Sequence, residues 1–321
     1  MQIVVNGEFY DHERIQRELI RRRHRPRTRS DNEIALHLDE DRGSDCLRHL
    51  RGEFAFALWD GRERRLFAAR DRLGIKPLCY AQRDGLLYLA SEAKTLFAAR
   101  IPARWDRSAF FQLAGGQHHD RPQAAQAVFG GGRRSGRLAQ ADRRPGLVRR
   151  ARRPLPLNQS LYLWSKVVLP NDAPIFLGDR MEMVHSIEGG VPFLDHRLVE
   201  LCRDLPVSQK IRGMIEKHVL REAARPVLTA TIYGRHKHPF VAPPAALERE
   251  GRLYELTQDT LCSPTLAALP FFDRDKVVAL LDALPALDEE SRTAYDPALM
   301  ILLSACALHA GYGLSADGAK P

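Results

Sequence analysis

The sequence predicts an α+β layer over roughly its first hundred residues, followed by a mainly helical second part. Three observations lead there. Short alternating apolar runs, separated by Gly/Asp turn signals, recur up to residue 90. From residue 158 onward the apolar residues fall at helical spacing. Residues 114–157 between them follow neither period.

Ile3 to Val5 reads as a short strand. His12 to Arg23 carries Ile15, Leu19 and Ile20 on a charged background, the pattern of an amphipathic helix. Ser30-Asp31-Asn32-Glu33 has the Ser-x-x-Glu form of a capping box and opens a second helix through Ile34, Leu36 and Leu38. Phe54 to Leu58 alternates as a half-buried strand. Leu66 to Ala69 and Leu86 to Ala90 are further strands, and Ser91 to Ala99 is a short helix. Together these predict a layered α+β sandwich over 1–105. A segment at 106–157 then reads as an Arg/Gly-rich linker. Its 114–157 stretch has no Lys or Ile and a single aromatic, Phe129, so it is predicted to be disordered. A C-terminal domain spans 158–321, with helices expected at Asp195 to Arg203, Glu216 to Arg225, Pro244 to Leu256, Arg274 to Leu284 and Pro297 to Leu308.

The chain has 321 residues, enough for two domains, and its 44% hydrophobic and 28% charged residues are a globular composition. The net charge of +9 is local. Residues 114–157 hold ten arginines against two acids, a net +8, which leaves +1 for everything else. Nucleic acid is therefore not an expected partner. The alternative is an interaction module whose arginine segment orders on an acidic partner. The run Arg21 to Arg29 reads as a solvated helix end. No apolar run approaches the roughly 20 residues that span a bilayer. Ala298 to Leu308 comes nearest and reads as a buried helix, so no membrane association is expected. MQIVVNGEFYDHE lacks the basic and apolar regions of a signal peptide. Five scattered cysteines form neither a disulfide framework nor a CxxC site, which suits a reduced, cytoplasmic protein. Cys46 and Cys79 read as small core residues. His185, His196, His236 and His238 match no zinc spacing, and no metal site is expected. The sequence leaves a homodimer open.

Several blocks carry a resemblance. VNGEFYDHER (5–14), the segment at Ser30 to Glu33, LRGEFAFALWD (50–60), LFAARDRLGIKPLCY (66–80) and LASEAKTL (89–96) resemble the glutaminase domain of class II glutamine amidotransferases. LYLWSKVVLPN (161–171), GDRMEMVHSIEGGVPFLDHRLVE (178–200), KIRGMIEKHVLREA (210–223) and KHPFVAPP (237–244) resemble the synthetase domain of glutamine-hydrolysing asparagine synthetases. The resemblance implies an N-terminal nucleophile hydrolase-like sandwich, incomplete here, and a helical remnant of an α/β ATP-pyrophosphatase-type domain. It implies ATP-dependent amidation of aspartate, with ammonia from glutamine and with ATP and Mg2+ as cofactors. Glutamine, aspartate and ATP are the implied substrates, and related enzymes that amidate other carboxylates are the alternative.

By the same resemblance, Asn6 and Gly7 match the oxyanion-hole pair, following a strand, and Glu8 and Asp31 match the acids that hold the glutamine α-ammonium. On the residues alone, Asn6-Gly7 could be a plain turn and Asp31 a plain helix cap. Lys237 matches a lysine beside the α-phosphate of the adenylate. Arg180 and Glu188 match the nucleotide and aspartate region, with scaffold roles equally open. Asp195 reads as the cap of the helix through Leu198 and Val199. Gly190 stands where the family pattern has an arginine that could pair Glu188. The family nucleophile is an N-terminal cysteine whose own α-amine acts as base, whereas this sequence begins Met1-Gln2. The Ser-Gly-Gly-x-Asp-Ser phosphate loop is not found, and Gly130 to Arg137 does not replace it. The expectation is a truncated, internally disrupted relative without catalytic turnover.

Overall fold

The computed structural model describes residues 1–107, 110, 156–165, 169, 180–236, 251–269 and 271–315. The predicted disordered stretch 114–157 lies almost wholly outside them, as does Lys237. The chain divides into two compact units, one of Met1–Leu96 with Arg144–Arg235, the other of Phe97–Arg143 with His236–Pro321. Contacts thus group the described residues 156–235 with the N-terminal segment, whereas the sequence blocks group them with the residues beyond 236.

The first unit is built on strand β1 (Gln2–Phe9), helices α1 (His12–Arg21) and α2 (Glu33–Arg42), and strands β2 (Gly52–Asp60) and β3 (Arg65–Arg70). β1, β2 and β3 form one antiparallel sheet with β2 in the middle. α1 and α2 cover one face of it. Ile15, Leu19, Ile34, Ala35 and Leu38 pack there against Phe9, Phe54, Phe56 and Leu58. Phe9 and Phe54 rings lie 4.7 Å apart, and Phe56 meets Phe67 edge-on. This explains the alternation read from the sequence, but only on one face. Glu53 and Ala55 on its other face are buried as well. The strand is not half-buried over its first half.

The capping box does not form. Asn32 occupies the cap position of α2 and makes no side-chain cap bond. Glu33 reaches past Ser30, and its carboxylate accepts from the amides of Arg27 and Thr28 at 2.7 and 2.8 Å. A hairpin follows, β4 (Cys79–Arg83) with β5 (Leu86–Ala90), and then helix α3 (Ala93–Ala98). β4 escapes the sequence reading because it is short and polar. Its turn is nevertheless signalled by Asp84-Gly85, both at positive φ. The N-terminal region is thus a mixed α/β layer with small, unclosed sheets.

The same unit contains helices Pro156–Leu163, Arg180–Val184, His196–Asp204 and His218–Ala224. Asp195 caps the third by accepting from the Arg197 amide at 3.0 Å, as expected.

The second unit is helical. Arg252–Cys262, Arg274–Ala283 and Glu289–Tyr312 enclose Leu261, Val277, Leu281, Leu299, Leu302 and Cys306. Trp105 packs edge-on against Phe271 at 5.2 Å. Glu289–Tyr312 is twice as long as expected. Asp288 caps it by accepting from Ser291, and the helix runs on through Pro297. At 24 residues it has the length and composition to cross a bilayer. Its Ala298, Leu299, Leu302, Ala305 and Cys306 are instead buried in the helical core. The described part of the expected Pro244 to Leu256 helix begins only at Arg252.

Candidate functional site

Asn6, Gly7 and Glu8 lie within β1 rather than after a strand, opposite Ala55, Phe54 and Glu53 of β2. Gly7 has φ +114°, and a Cβ there would sit 1.9 Å from the Glu53 carbonyl oxygen and 3.0 Å from Lys76 Cγ. Only glycine fits that approach. Alternation puts Asn6 and Glu8 on one face of the strand. Among the described residues, neither the Asn6 amide nor the Glu8 carboxylate has a hydrogen-bond or ion-pair partner.

Asp31 comes to the same strand end. Its Oδ2 accepts from the Phe9 amide at 2.7 Å, one residue after Glu8. It is not the cap of α2. Asp31 thus bonds to the strand that carries Asn6, Gly7 and Glu8, and both plainer alternatives, the turn and the cap, are overturned. The motif RDRLGIKP has its own local logic. Asp71 accepts from the amides of Leu73, Ile75 and Lys76, with Gly74 at φ +70° closing the loop.

Glu188 meets a residue of the N-terminal segment. Its Oε1 faces the buried Lys76 Nζ at 3.4 Å, so a lysine from the N-terminal segment stands in for the guanidinium that Gly190 cannot supply. Arg180 opens the helix Arg180–Val184. Its side chain and Lys237 lie outside the described residues.

The sequence reading missed the polar links that dock residues 188–200 onto the N-terminal sheet. Glu53 accepts both the Tyr10 hydroxyl at 2.7 Å and the Val191 amide at 3.0 Å. Burial, followed by this bond to Glu53, raises the Tyr10 hydroxyl well above its ordinary range. Arg51 donates through Nε to Asp195 at 2.8 Å and through a terminal nitrogen to Asp11 at 3.3 Å. The bond to Arg51 holds Asp195 below the usual carboxylate range. Arg72 pairs with Glu200 at 3.0 Å. Within this unit a cleft of about 280 Å³ opens, lined by Tyr10, Arg51, Glu53, Asp71, Leu194 and His196 among others. The signal was available in GEFAF, where one acid interrupts an apolar strand. Cys46 is sealed in the core, and burial pushes its thiol up to about 11. Cys79 is only half-buried, paired opposite Ala90.

Residues 1–98 match the family model of the glutamine amidotransferase domain. The chain is 42% identical over 114 residues to a glutamine-hydrolysing asparagine synthetase of Bacillus subtilis (strain 168), covering 35% of this chain and 19% of that protein. It is 34% identical over 125 residues to another from the same organism, covering 39% and 20%. It is 45% identical over 102 residues to the amidase chyE of Penicillium rubens, covering 32% and 15%. The chain spans a fifth or less of the length of the curated relatives it matches. Residues 1–98 are therefore a glutamine amidotransferase domain, similar to that of the glutamine-hydrolysing asparagine synthetases.

Proposed function

We propose that the N-terminal unit is a glutamine-binding module that retains the substrate-holding half of an amidotransferase site. The observation that carries this reading is the bond from the Phe9 amide to Asp31, which brings that carboxylate to the end of the strand bearing Asn6, Gly7 and Glu8. Glu8 and Asp31 face the cationic α-ammonium of glutamine. The Asn6 side-chain amide and the Gly7 backbone N–H donate to the oxyanion of a tetrahedral intermediate. Amide hydrolysis in this mode needs a thiol whose own α-amine is the base, and Cys46 and Cys79 are internal and have none. Glutamine binding is the function that Asn6, Gly7, Glu8 and Asp31 support.

The reaction from which this module derives is ATP-dependent amidation of aspartate, with Mg2+ accompanying ATP, in the cytoplasm. Arg180, Glu188 and Lys237 would serve its adenylate half, and 158–321 would form its synthetase-like domain. Glu188 is paired with Lys76, and Lys237 lies outside the described residues. The similarity to amidases of Penicillium rubens and Gibberella zeae, at 45% and 43% identity, favours as a second reading an amidotransferase for another carboxylate.

Calorimetric titration of the full chain with glutamine, beside an assay of ammonia release, tests the reading. Saturable binding that weakens at least tenfold in Asp31→Asn, with ammonia at background, is expected. A folded chain that binds no glutamine, or one that releases ammonia catalytically, would overturn it.

A further inference from the structure

The basic run Arg21 to Arg29 contains one residue that behaves unlike its neighbours. Its six arginines, at 21, 22, 23, 25, 27 and 29, are exposed. His24 turns inward, with only 14% of its side chain accessible. It meets His37 of α2, itself 9% exposed, with ring centroids 5.0 Å apart. Glu40, three residues after His37, lies on the same face of α2. Its Oε2 is 2.8 Å from His37 Nδ1 and 3.3 Å from His24 Nδ1. These three ligand atoms lie within 4.8 Å of one another.

Two further carboxylates stand behind the rings. Asp41 Oδ1 is 2.8 Å from His24 Nε2, and Glu33 Oε1 is 3.6 Å from His37 Nε2. The His37 Nε2 atom is buried and makes no hydrogen bond among the described residues. With both rings neutral and no ion, the protons do not fit well. Satisfying Glu40 from both Nδ1 atoms uses the one N–H of each neutral ring. The two Nε2 lone pairs then point at Asp41 and Glu33, lone pair against carboxylate.

A single cation at the two Nδ1 atoms and Glu40 resolves this. Each ring then carries its proton on Nε2, which His24 donates to Asp41 and which His37 turns towards Glu33, 3.6 Å away. That is the arrangement of carboxylates behind metal-bound imidazoles that fixes tautomer and orientation. Zinc bonds of 2.0–2.2 Å to nitrogen and oxygen in a tetrahedron put ligand atoms roughly 3.3 Å apart, close to the 2.8 and 3.3 Å that separate Glu40 from the two rings. We propose that His24, His37 and Glu40 form a binding site for one Zn2+ ion, oriented by Asp41 and Glu33. Glu40 is partly exposed, so water fills the fourth position. The ion would clip the turn between α1 and α2 onto α2. That turn ends at Asp31, so the clip would steady a residue of the glutamine module without touching glutamine.

The test is titration of the metal-free full chain with Zn2+ against a chromophoric chelator at neutral pH. Wild type, His24→Ala, Glu40→Gln and Asp41→Asn are compared, with His49→Ala as an exposed control. Cys202 and Cys262 are replaced by serine throughout to remove exposed thiol background. One tight site per chain is expected. It weakens at least 100-fold in His24→Ala and Glu40→Gln and by about 10–100-fold in Asp41→Asn, and is unchanged in His49→Ala. Thermal melts of the metal-free variants establish that they fold, and the rise in melting temperature on adding Zn2+ is expected only where the site is intact. A wild-type chain that binds no Zn2+, or one whose affinity survives both His24→Ala and Glu40→Gln, overturns the proposal.

Discussion

The two units bury different things. Within the first, His37, Asp39, Glu53, Asp60, Asp71 and Lys76 are buried polar or charged residues, and each sits at a junction between segments or inside a motif loop. Within the second, Thr257 alone is of that kind among the described residues, and the core is otherwise Leu, Val, Phe, Ala, Trp and Cys. Burying an unpaired polar group costs free energy, so a fold retains such groups only where their partners are supplied. For Asp60 and Asp71 these are amides of the next few residues, but several links come from far along the chain. Glu53 meets Val191, Arg51 meets Asp195, and Lys76 meets Glu188. The first unit is assembled around positioned charge, the second around packing. The contrast teaches where to look for chemistry: the residues weighed as a glutamine site all fall in the unit whose interior is polar.

The sharpest way to break that comparison is Gly7→Ala. The added methyl carbon would enter the space of the Glu53 carbonyl oxygen, on backbone at φ +114°. Strain at positive φ and overpacking together are expected to cost about 4 kcal/mol. Urea unfolding followed by fluorescence measures it. A loss below about 1 kcal/mol would mean that β1 can retreat from β2, and that the close approach is not what places Asn6 and Glu8.

That approach was not legible in the sequence, and the reason is physical. Asn6-Gly7 reads equally well as a turn, because a residue pair carries no information about a carbonyl 46 positions away. The apolar pattern was legible: Phe54, Phe56 and Leu58 face the core as their alternation requires. The burial of Glu53 was not, since it follows from Tyr10 and from Val191, 138 positions on, meeting its carboxylate. The Asp195 cap was visible because capping is local. The capping box at Ser30 failed because the turn delivers the Arg27 and Thr28 amides to Glu33 first. In the helical unit the apolar spacing located Arg274–Ala283 closely. Pro297 wrongly marked a helix start, because a tertiary core can carry a helix through the loss of one backbone donor.

A smaller effect separates the units by pH. Burial raises a thiol in each, Cys46 and Cys306, to about 11. An acid whose folded value is raised contributes stability that is full below its unfolded value, near 8.5, and is lost as pH climbs towards about 11. Both units therefore weaken on the alkaline side. The acid side differs only in the kind of partner: Asp273 and Asp288 of the second unit are held low by helix amides of their own segment, Asp195 of the first by a charge from another segment. Asp195 is held low first by its bond to Arg51, so its contribution is full above about pH 4 and is lost as pH falls through the depressed folded value. Asp195→Asn is expected to cost about 1 kcal/mol at neutral pH and to flatten the acid limb of stability against pH. An acid limb unchanged in that variant would show that the Arg51 pair contributes nothing across the segments.

The smallest effect sharpens the comparison from the other side. Thr257 is fully buried, but its hydroxyl donates only to the Leu253 carbonyl one turn earlier, at 2.7 Å. Such a bond satisfies the hydroxyl without joining any segment to another, and it competes slightly with the helix itself. Thr257→Val removes donor and acceptor together and keeps the branched shape. The Leu253 carbonyl keeps its helical role. Stability by thermal melting is expected to change by less than about 1 kcal/mol, in either direction. A loss well beyond that would mean that the helical core also depends on a positioned polar group. The division between a unit organised by buried charge and one organised by packing would then fail at the one residue where the second unit resembles the first.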